Sequence, residues 1–167
     1  MNTHIELLDT DITTLTVDAI VNAANNSLLG GGGVDGAIHR GAGAELLVEC
    51  RKLGGCATGN AKITKAFHLP AHYIIHTVGP TWRGGSRGEI NLLANCYRNC
   101  FALATEYGFK SIAFPAISTG VYRFPKDKAA AIAITETREA FAVNPDLERV
   151  IMVCFGPETR SAYEKAL

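Results

Sequence analysis

Four consecutive glycines, Gly30 to Gly33, stand between two apolar segments of different periodicity, and they constrain this chain more than any other feature. Before them, Val17-Asp18-Ala19-Ile20-Val21 is nearly continuous in apolar residues, as interior strands of parallel sheets are. After them, Asp35 to Leu53 reads as a helix carrying Ala37, Ile38, Leu46, Leu47 and Cys50, ended by Gly54-Gly55. Glycine loses the most conformational freedom on folding, so an ordered run of it needs a task. Backbone N–H groups free of side chains, next to a helix start, form a cradle for an anion. The loop lacks the lysine and hydroxyl of Gly-x-x-x-x-Gly-Lys-Ser/Thr. It is also not Gly-x-Gly-x-x-Gly with an acidic residue about 20 positions on. A nucleotide triphosphatase and a dinucleotide-dependent dehydrogenase are therefore disfavoured.

Further strands are expected at Ile5 to Leu8, Ala61 to Phe67, Tyr73 to Val78, Ser111 to Phe114 and Arg149 to Phe155. Helical spacing covers Asn91 to Tyr107, Lys126 to Ala142 and Pro157 to Leu167. Strands alternating with helices predict an α/β fold with a mixed, mostly parallel central sheet covered on both faces. Antiparallel edges are expected for the first strand and for the pair around Ile63 and Ile75. The 167 residues suit one domain, residues 1–167. Ligands of open sheets sit beyond the carboxyl ends of the strands. The glycine loop, the loop Ser118 to Pro125 and the segment after Phe155 all follow strands, so they can line one crevice.

Sixteen basic and 16 acidic residues give a formal net charge of +0, which removes a bulk attraction to nucleic acid or to an anionic membrane. The five cysteines are odd in number and include no Cys-x-x-Cys, so reduced core thiols are expected rather than a disulfide framework or a zinc site. No His/Cys/Asp cluster has metal-ligand spacing, and no metal or cofactor is expected. Met1 to Glu6 lacks the features of a secretory leader and no segment is long enough to span a membrane, which points to the cytoplasm.

Each candidate site residue has a bland alternative. Asp35 could be a helix N-terminal carboxylate stabilised by the dipole. Beside a phosphate cradle, however, a carboxylate is unfavourable unless it activates water or holds a hydroxyl. Asn22 and Asn25 could form turns, or offer donor and acceptor to the two hydroxyls of a ribose. His39 lies one helical turn after Asp35 and can share its face. Ser118-Thr119-Gly120-Val121-Tyr122 could be a plain turn; paired with the glycine loop it would form a second wall around a diphosphate. Asp11 could be a turn aspartate or an acceptor for an exocyclic amine. Phe155 could be core or could stack on a base. Trp82, Tyr122 and Phe124 are candidates for covering a ligand.

Together, Val17 to Asn25, Gly30 to His39, His76 to Pro80 and Phe114 to Tyr122 resemble the macrodomains, in particular the MacroD-type branch with its bacterial O-acetyl-ADP-ribose deacetylases. The order and spacing of these segments fit across essentially the whole chain. The resemblance implies a three-layer α/β/α sandwich binding ADP-ribose at the crest of its sheet. It implies that Asp11, with the Ile12 backbone nearby, meets the adenine amino group and that Phe155 lies against the base. Gly32, Gly33 and Val34 with Ser118, Thr119, Gly120, Val121 and Tyr122 would clasp the diphosphate. Asn25 would hold the distal ribose and Asp35 would be the catalytic acid/base. The implied reactions are hydrolysis of O-acetyl-ADP-ribose and removal of mono-ADP-ribose from acidic side chains of proteins, with water oriented or deprotonated by Asp35. Activation of that water by the ligand's own phosphate is the alternative. A binding module without turnover is the rival reading of the whole chain. Thr10 stands where the family usually has Gly, and Arg123 where a small residue is common.

Overall fold

The computed structural model describes residues 4–167. Strands β1 (His4–Leu8), β2 (Ala19–Ala23), β3 (Ala61–Lys65), β4 (Tyr73–Thr77), β5 (Ser111–Phe114) and β6 (Arg149–Val153) form one sheet in the order β1-β6-β5-β2-β4-β3. The helices are α1 (Gly33–Ala42), α2 (Ala44–Leu53), α3 (Glu89–Tyr107), α4 (Lys126–Val143) and α5 (Pro157–Ala166).

Side-chain alternation divides the interior into two cores. Ala19 and Val21 of β2 and Val150 and Met152 of β6 face a layer containing Leu93, Tyr97, Ala133 and Tyr163 of α3, α4 and α5. Ile20 of β2 and Ile151 and Val153 of β6 face Ile38, Leu46 and Cys50 of α1 and α2. The result is the expected α/β/α sandwich. All five cysteines are free and buried. Among the described residues no helix is long and apolar enough to cross a membrane.

Two expectations need correction. The first strand is an edge, but β1 runs parallel to β6, with Ile5 opposite Val150 and Leu7 opposite Met152. Nothing forces an antiparallel turn there, because β1 and β6 are separated by most of the chain. Among the described residues only β3 is antiparallel, paired with β4 through Ile63 opposite Ile75. The connection Ala66 to His72 is too short for the crossover that a parallel pair requires. The single helix expected over Asp35 to Leu53 is two helices broken at Gly43, whose φ is 95°. Gly43 N–H donates to the His39 carbonyl, while its own carbonyl accepts from Leu46 N–H. One residue thus closes α1 and opens α2.

This topology places the crevice. β2 and β5 are parallel neighbours, Ala19 opposite Ile112. The chain leaving β2 enters α1 on one face of the sheet, whereas the chain leaving β5 reaches α4 on the other. Adjacent strands whose connections diverge to opposite faces open a crevice between them.

Candidate active site

The wall after β2 is built around Asp35. Its side chain, in the first turn of α1, turns inward rather than to solvent, and the residue is only 4% exposed. Asn22 Nδ2, at the carboxyl end of β2, donates to Asp35 Oδ1 at 2.8 Å. His39 Nε2, one turn along α1, comes within 3.4 Å of the same oxygen, so the shared face read from the spacing exists. Asp35 Oδ2 faces the glycine loop: a Cβ placed on Gly31 would lie 3.1 Å from it and 3.4 Å from Asn25 Nδ2. Gly31 therefore keeps open a niche bounded by a carboxylate oxygen and an amide nitrogen.

Asn25 also holds the loop. Its Oδ1 accepts from Ser27 N–H at 3.1 Å and from Ser27 Oγ at 2.6 Å, while Nδ2 donates to the Gly30 carbonyl at 2.9 Å. Gly32 and Gly33 are exposed at the start of α1, Val34 is half-buried, and Gly33 takes a φ of 58°. The turn-forming role and the niche-lining position of Asn25 coexist. Asn22, in contrast, has no exposed surface and touches the crevice only through Asp35.

The wall after β5 is held differently. Ser118 and Arg123 both have positive φ, 66° and 62°, so the loop between them is bent at two non-glycine residues. Such backbone persists only where surroundings over-determine it, and it concentrates at ligand clamps. The left-handed conformation also gives a reason for a small residue at the position of Arg123. Ser118 Oγ is buried and unpartnered. Thr119 Oγ1 donates to the Ala116 carbonyl at 3.0 Å, Gly120 and Val121 are exposed, and Tyr122 is half-buried.

Phe124 does not cover the crevice; it is a core residue, 2% exposed. Trp82 lies on it with ring centroids 4.8 Å apart and donates its backbone N–H to the Tyr122 carbonyl at 2.7 Å. The Trp82 segment is fixed in turn by Glu89, which accepts from the N–H groups of Arg83, Gly85 and Arg87 at 2.8, 2.9 and 2.6 Å. Burial pushes the Glu89 carboxyl up, but the backbone donors outweigh burial and bring its pKa down to about 2. Sequence reasoning passed over Glu89, although its place at the start of a helix after the turn-rich run Arg83 to Gly88 was a usable signal.

Beyond β5, at the same edge of the sheet, lie the carboxyl ends of β6 and β1. Asp11 caps a single 3-10 turn, Ile12–Thr14, by accepting from Thr13 N–H and Oγ1 through Oδ1. These bonds hold its carboxyl below the usual carboxylate range. Ile12 is buried under the turn. Phe155 is 93% exposed beside this segment, where the Cys154 N–H donates to the Leu8 carbonyl. A large aromatic held that far into solvent at a strand end is available for stacking. Among the described residues no group of three or more His, Cys, Asp and Glu side chains is placed to hold a metal ion.

The macro domain family model matches residues 21–133. The chain is 60% identical over 166 residues to a macro domain-containing protein of Chlorobaculum tepidum, covering 99% of this chain and 96% of the relative. It is 51% identical over 171 residues to the O-acetyl-ADP-ribose deacetylase of Enterobacter cloacae, covering 100% and 95%. Its fold superimposes on a mutant macrodomain of Oceanobacillus iheyensis with ADP-ribose at a TM-score of 0.93 and 44% identity, covering 99% and 92%. The chain belongs to the macro domain family.

Proposed function

We propose that this protein hydrolyses O-acetyl-ADP-ribose to ADP-ribose and acetate in the cytoplasm, and that it also removes mono-ADP-ribose from acidic side chains of proteins. The observation that carries the reading is the niche at Gly31, between Asp35 Oδ2 and Asn25 Nδ2. Relatives named as O-acetyl-ADP-ribose deacetylases and a structural neighbour with ADP-ribose support the substrate class. Five free, buried thiols suit a reducing compartment.

In this reading the ligand lies along the crest. The base meets Asp11 and Phe155, the diphosphate meets the exposed N–H groups of Gly32 and Gly33 and the Ser118 to Tyr122 loop, and the distal ribose meets Asn25. Water then adds to the ester carbonyl carbon and passes a proton to Asp35. The bond from that carbon to the ribose oxygen breaks, and the ribose oxygen takes up a proton as it leaves. Fixing the sugar beside the water removes much of the entropic barrier. The same step serves an acetyl ester and an ester to a protein carboxylate.

The test is a time course of O-acetyl-ADP-ribose with wild type, Asp35→Ala and Asp35→Asn, resolved by chromatography. Wild type should release ADP-ribose, and both variants should lose about 10²–10⁴-fold in turnover while retaining ADP-ribose affinity. Asparagine can still accept from Asn22, so near-normal turnover by Asp35→Asn would pass the base role to the ligand's phosphate. Tight binding without turnover by wild type would make the chain a reader of ADP-ribose. A matched assay on a mono-ADP-ribosylated acidic peptide tests the second substrate.

A further inference from the structure

Behind Asp35 runs a chain of buried polar side chains that crosses three strands on the face covered by α1 and α2. Asn22 of β2 and His76 of β4 are register partners in the parallel pair, so their side chains lie side by side on that face. Asn22 Nδ2, which donates to Asp35 Oδ1, lies 3.1 Å from His76 Nδ1. His76 Nε2 lies 2.9 Å from Thr64 Oγ1 on β3, and Cys50 Sγ of α2 is 3.9 Å from the same ring nitrogen. Asn22 and His76 are wholly buried and Thr64 nearly so.

The donors and acceptors admit one arrangement. An amide nitrogen only donates, so His76 Nδ1 must accept. The ring proton then sits on Nε2 and points to Thr64 Oγ1, and the imidazole is neutral. Burial, helped by His39, holds the His76 pKa down at about 3, in keeping with a neutral ring. Both hydrogens of Asn22 Nδ2 are used, one on Asp35 and one on His76. Turning the amide over would set Oδ1 against the Asp35 carboxylate oxygen, a repulsion that neither imidazole tautomer relieves. Asn22 Oδ1 is left buried without a partner, a cost that native interiors rarely tolerate without a reason.

We propose that Thr64, His76 and Asn22 are positioning residues for Asp35: the neutral imidazole fixes the Asn22 amide, and the amide pins Asp35 Oδ1 to the crevice wall, so that Oδ2 alone is presented to water at Gly31. The inference rests on the hydrolase reading for its consequence but not for its structure. His76→Leu removes the acceptor and roughly keeps the volume. His76→Asn returns an acceptor near the position of Nδ1.

The experiment measures kcat and KM for O-acetyl-ADP-ribose, Kd for ADP-ribose, and the melting temperature for wild type, His76→Leu and His76→Asn. Long-range ¹H–¹⁵N spectra of wild-type imidazoles are recorded alongside. His76→Leu should lose about tenfold or more in kcat with KM and Kd within about threefold, the pattern of an interaction made only in the transition state. His76→Asn should recover most of the loss. Wild-type His76 should show a protonated Nε2 and a free Nδ1. A lowered melting temperature with unchanged kcat would reduce the three residues to packing and overturn the proposal. So would a proton on Nδ1. The spectrum needs no turnover, so an inactive wild type would sink the hydrolase reading while still reporting on the hydrogen-bonded chain.

Discussion

The two walls of the crevice are held by different physics. Behind the glycine loop stands a buried polar chain, Thr64 to His76 to Asn22 to Asp35, in which each hydrogen bond dictates the next. Behind the Ser118 to Tyr122 loop stand an aromatic pair, Trp82 on Phe124, and a carboxylate, Glu89, that gathers backbone N–H groups. Side-chain hydrogen bonds in the first wall fix the direction of one carboxylate oxygen, whereas apolar packing and bonds to loop backbone in the second fix the position of a surface without orienting a reactive side-chain atom. The first wall is suited to presenting a single carboxylate oxygen. The second is suited to holding the outline of an anion site. Losses of rate should therefore follow damage to the polar chain behind Asp35, and losses of affinity should follow damage to the support of the second wall.

Acid should separate the walls with the largest effect. The folded pKa of His76, about 3, lies below its unfolded value near 6.5, so below pH 6.5 the unfolded chain binds more protons. The stability associated with a neutral His76 is complete above pH 6.5 and is lost as pH falls from 6.5 toward 3. At about 1.4 kcal/mol per unit, the loss amounts to several kcal/mol over that window. The depressed Glu89 contributes stability that is complete above about pH 4.5 and is lost as pH falls toward 2. Between pH 6.5 and 4.5 only the first wall is titrating among these two. Urea unfolding at intervals across that range should give a falling stability in wild type, and His76→Leu should flatten the slope. A slope unchanged in His76→Leu would break the assignment.

Two glycines test the walls at intermediate strength. A Cβ on Gly36 would sit 2.5 Å from the Gly31 carbonyl oxygen, a backbone atom that can move only with the loop. A Cβ on Gly79 would overlap Ser118 Oγ and lie 2.7 Å from Ile117 Cγ2, both at the base of the second loop. Each substitution to alanine should destabilise by about 1–3 kcal/mol through overpacking. The readouts should differ. Gly36→Ala displaces Gly31 and should depress kcat for the ester, whereas Gly79→Ala should raise the Kd for ADP-ribose measured by calorimetry. Matching profiles for the two variants would show that the walls move as one body.

The loops themselves were legible in the sequence; their supports were not. Glycines, asparagines and an aspartate between a strand and a helix announce an anion site because those residues are costly or rare in plain structure. His76 lies in a segment that carries the family resemblance, but nothing there states a role, since a lone histidine in Tyr73-Ile74-Ile75-His76-Thr77 reads as core. Its role comes from registering opposite Asn22, a pairing between residues 54 apart that no local pattern encodes. The break at Gly43 was hidden for a related reason. Ile38, Ala42, Leu46 and Cys50 keep a four-residue spacing through it, so the apolar stripe of one helix and of two looks the same. The parallel pairing of β1 was out of reach because it joins strands separated by most of the described chain.

The smallest of these effects belongs to Trp82. Its ring rests on Phe124 and against Gly85, where an added Cβ would come 2.9 Å from the indole, yet the side chain is only half-buried. Trp82→Ala should therefore cost about 1–2 kcal/mol, less than a fully buried tryptophan. The backbone hydrogen bond from residue 82 to the Tyr122 carbonyl survives the substitution, so the loop keeps its tether and loses only its packing. With Phe124 uncovered, the positive φ angles at Ser118 and Arg123 are less firmly held, and the loop should relax toward conformations that bind anions less well. Calorimetry should show ADP-ribose bound about three- to tenfold more weakly, equivalent to roughly 1 kcal/mol. Saturating kcat should stay within a factor of about two, because nothing in the Asp35 chain has changed. The opposite result, a depressed kcat with Kd unmoved, would place the second wall in the chemistry and end the division of labour between the two.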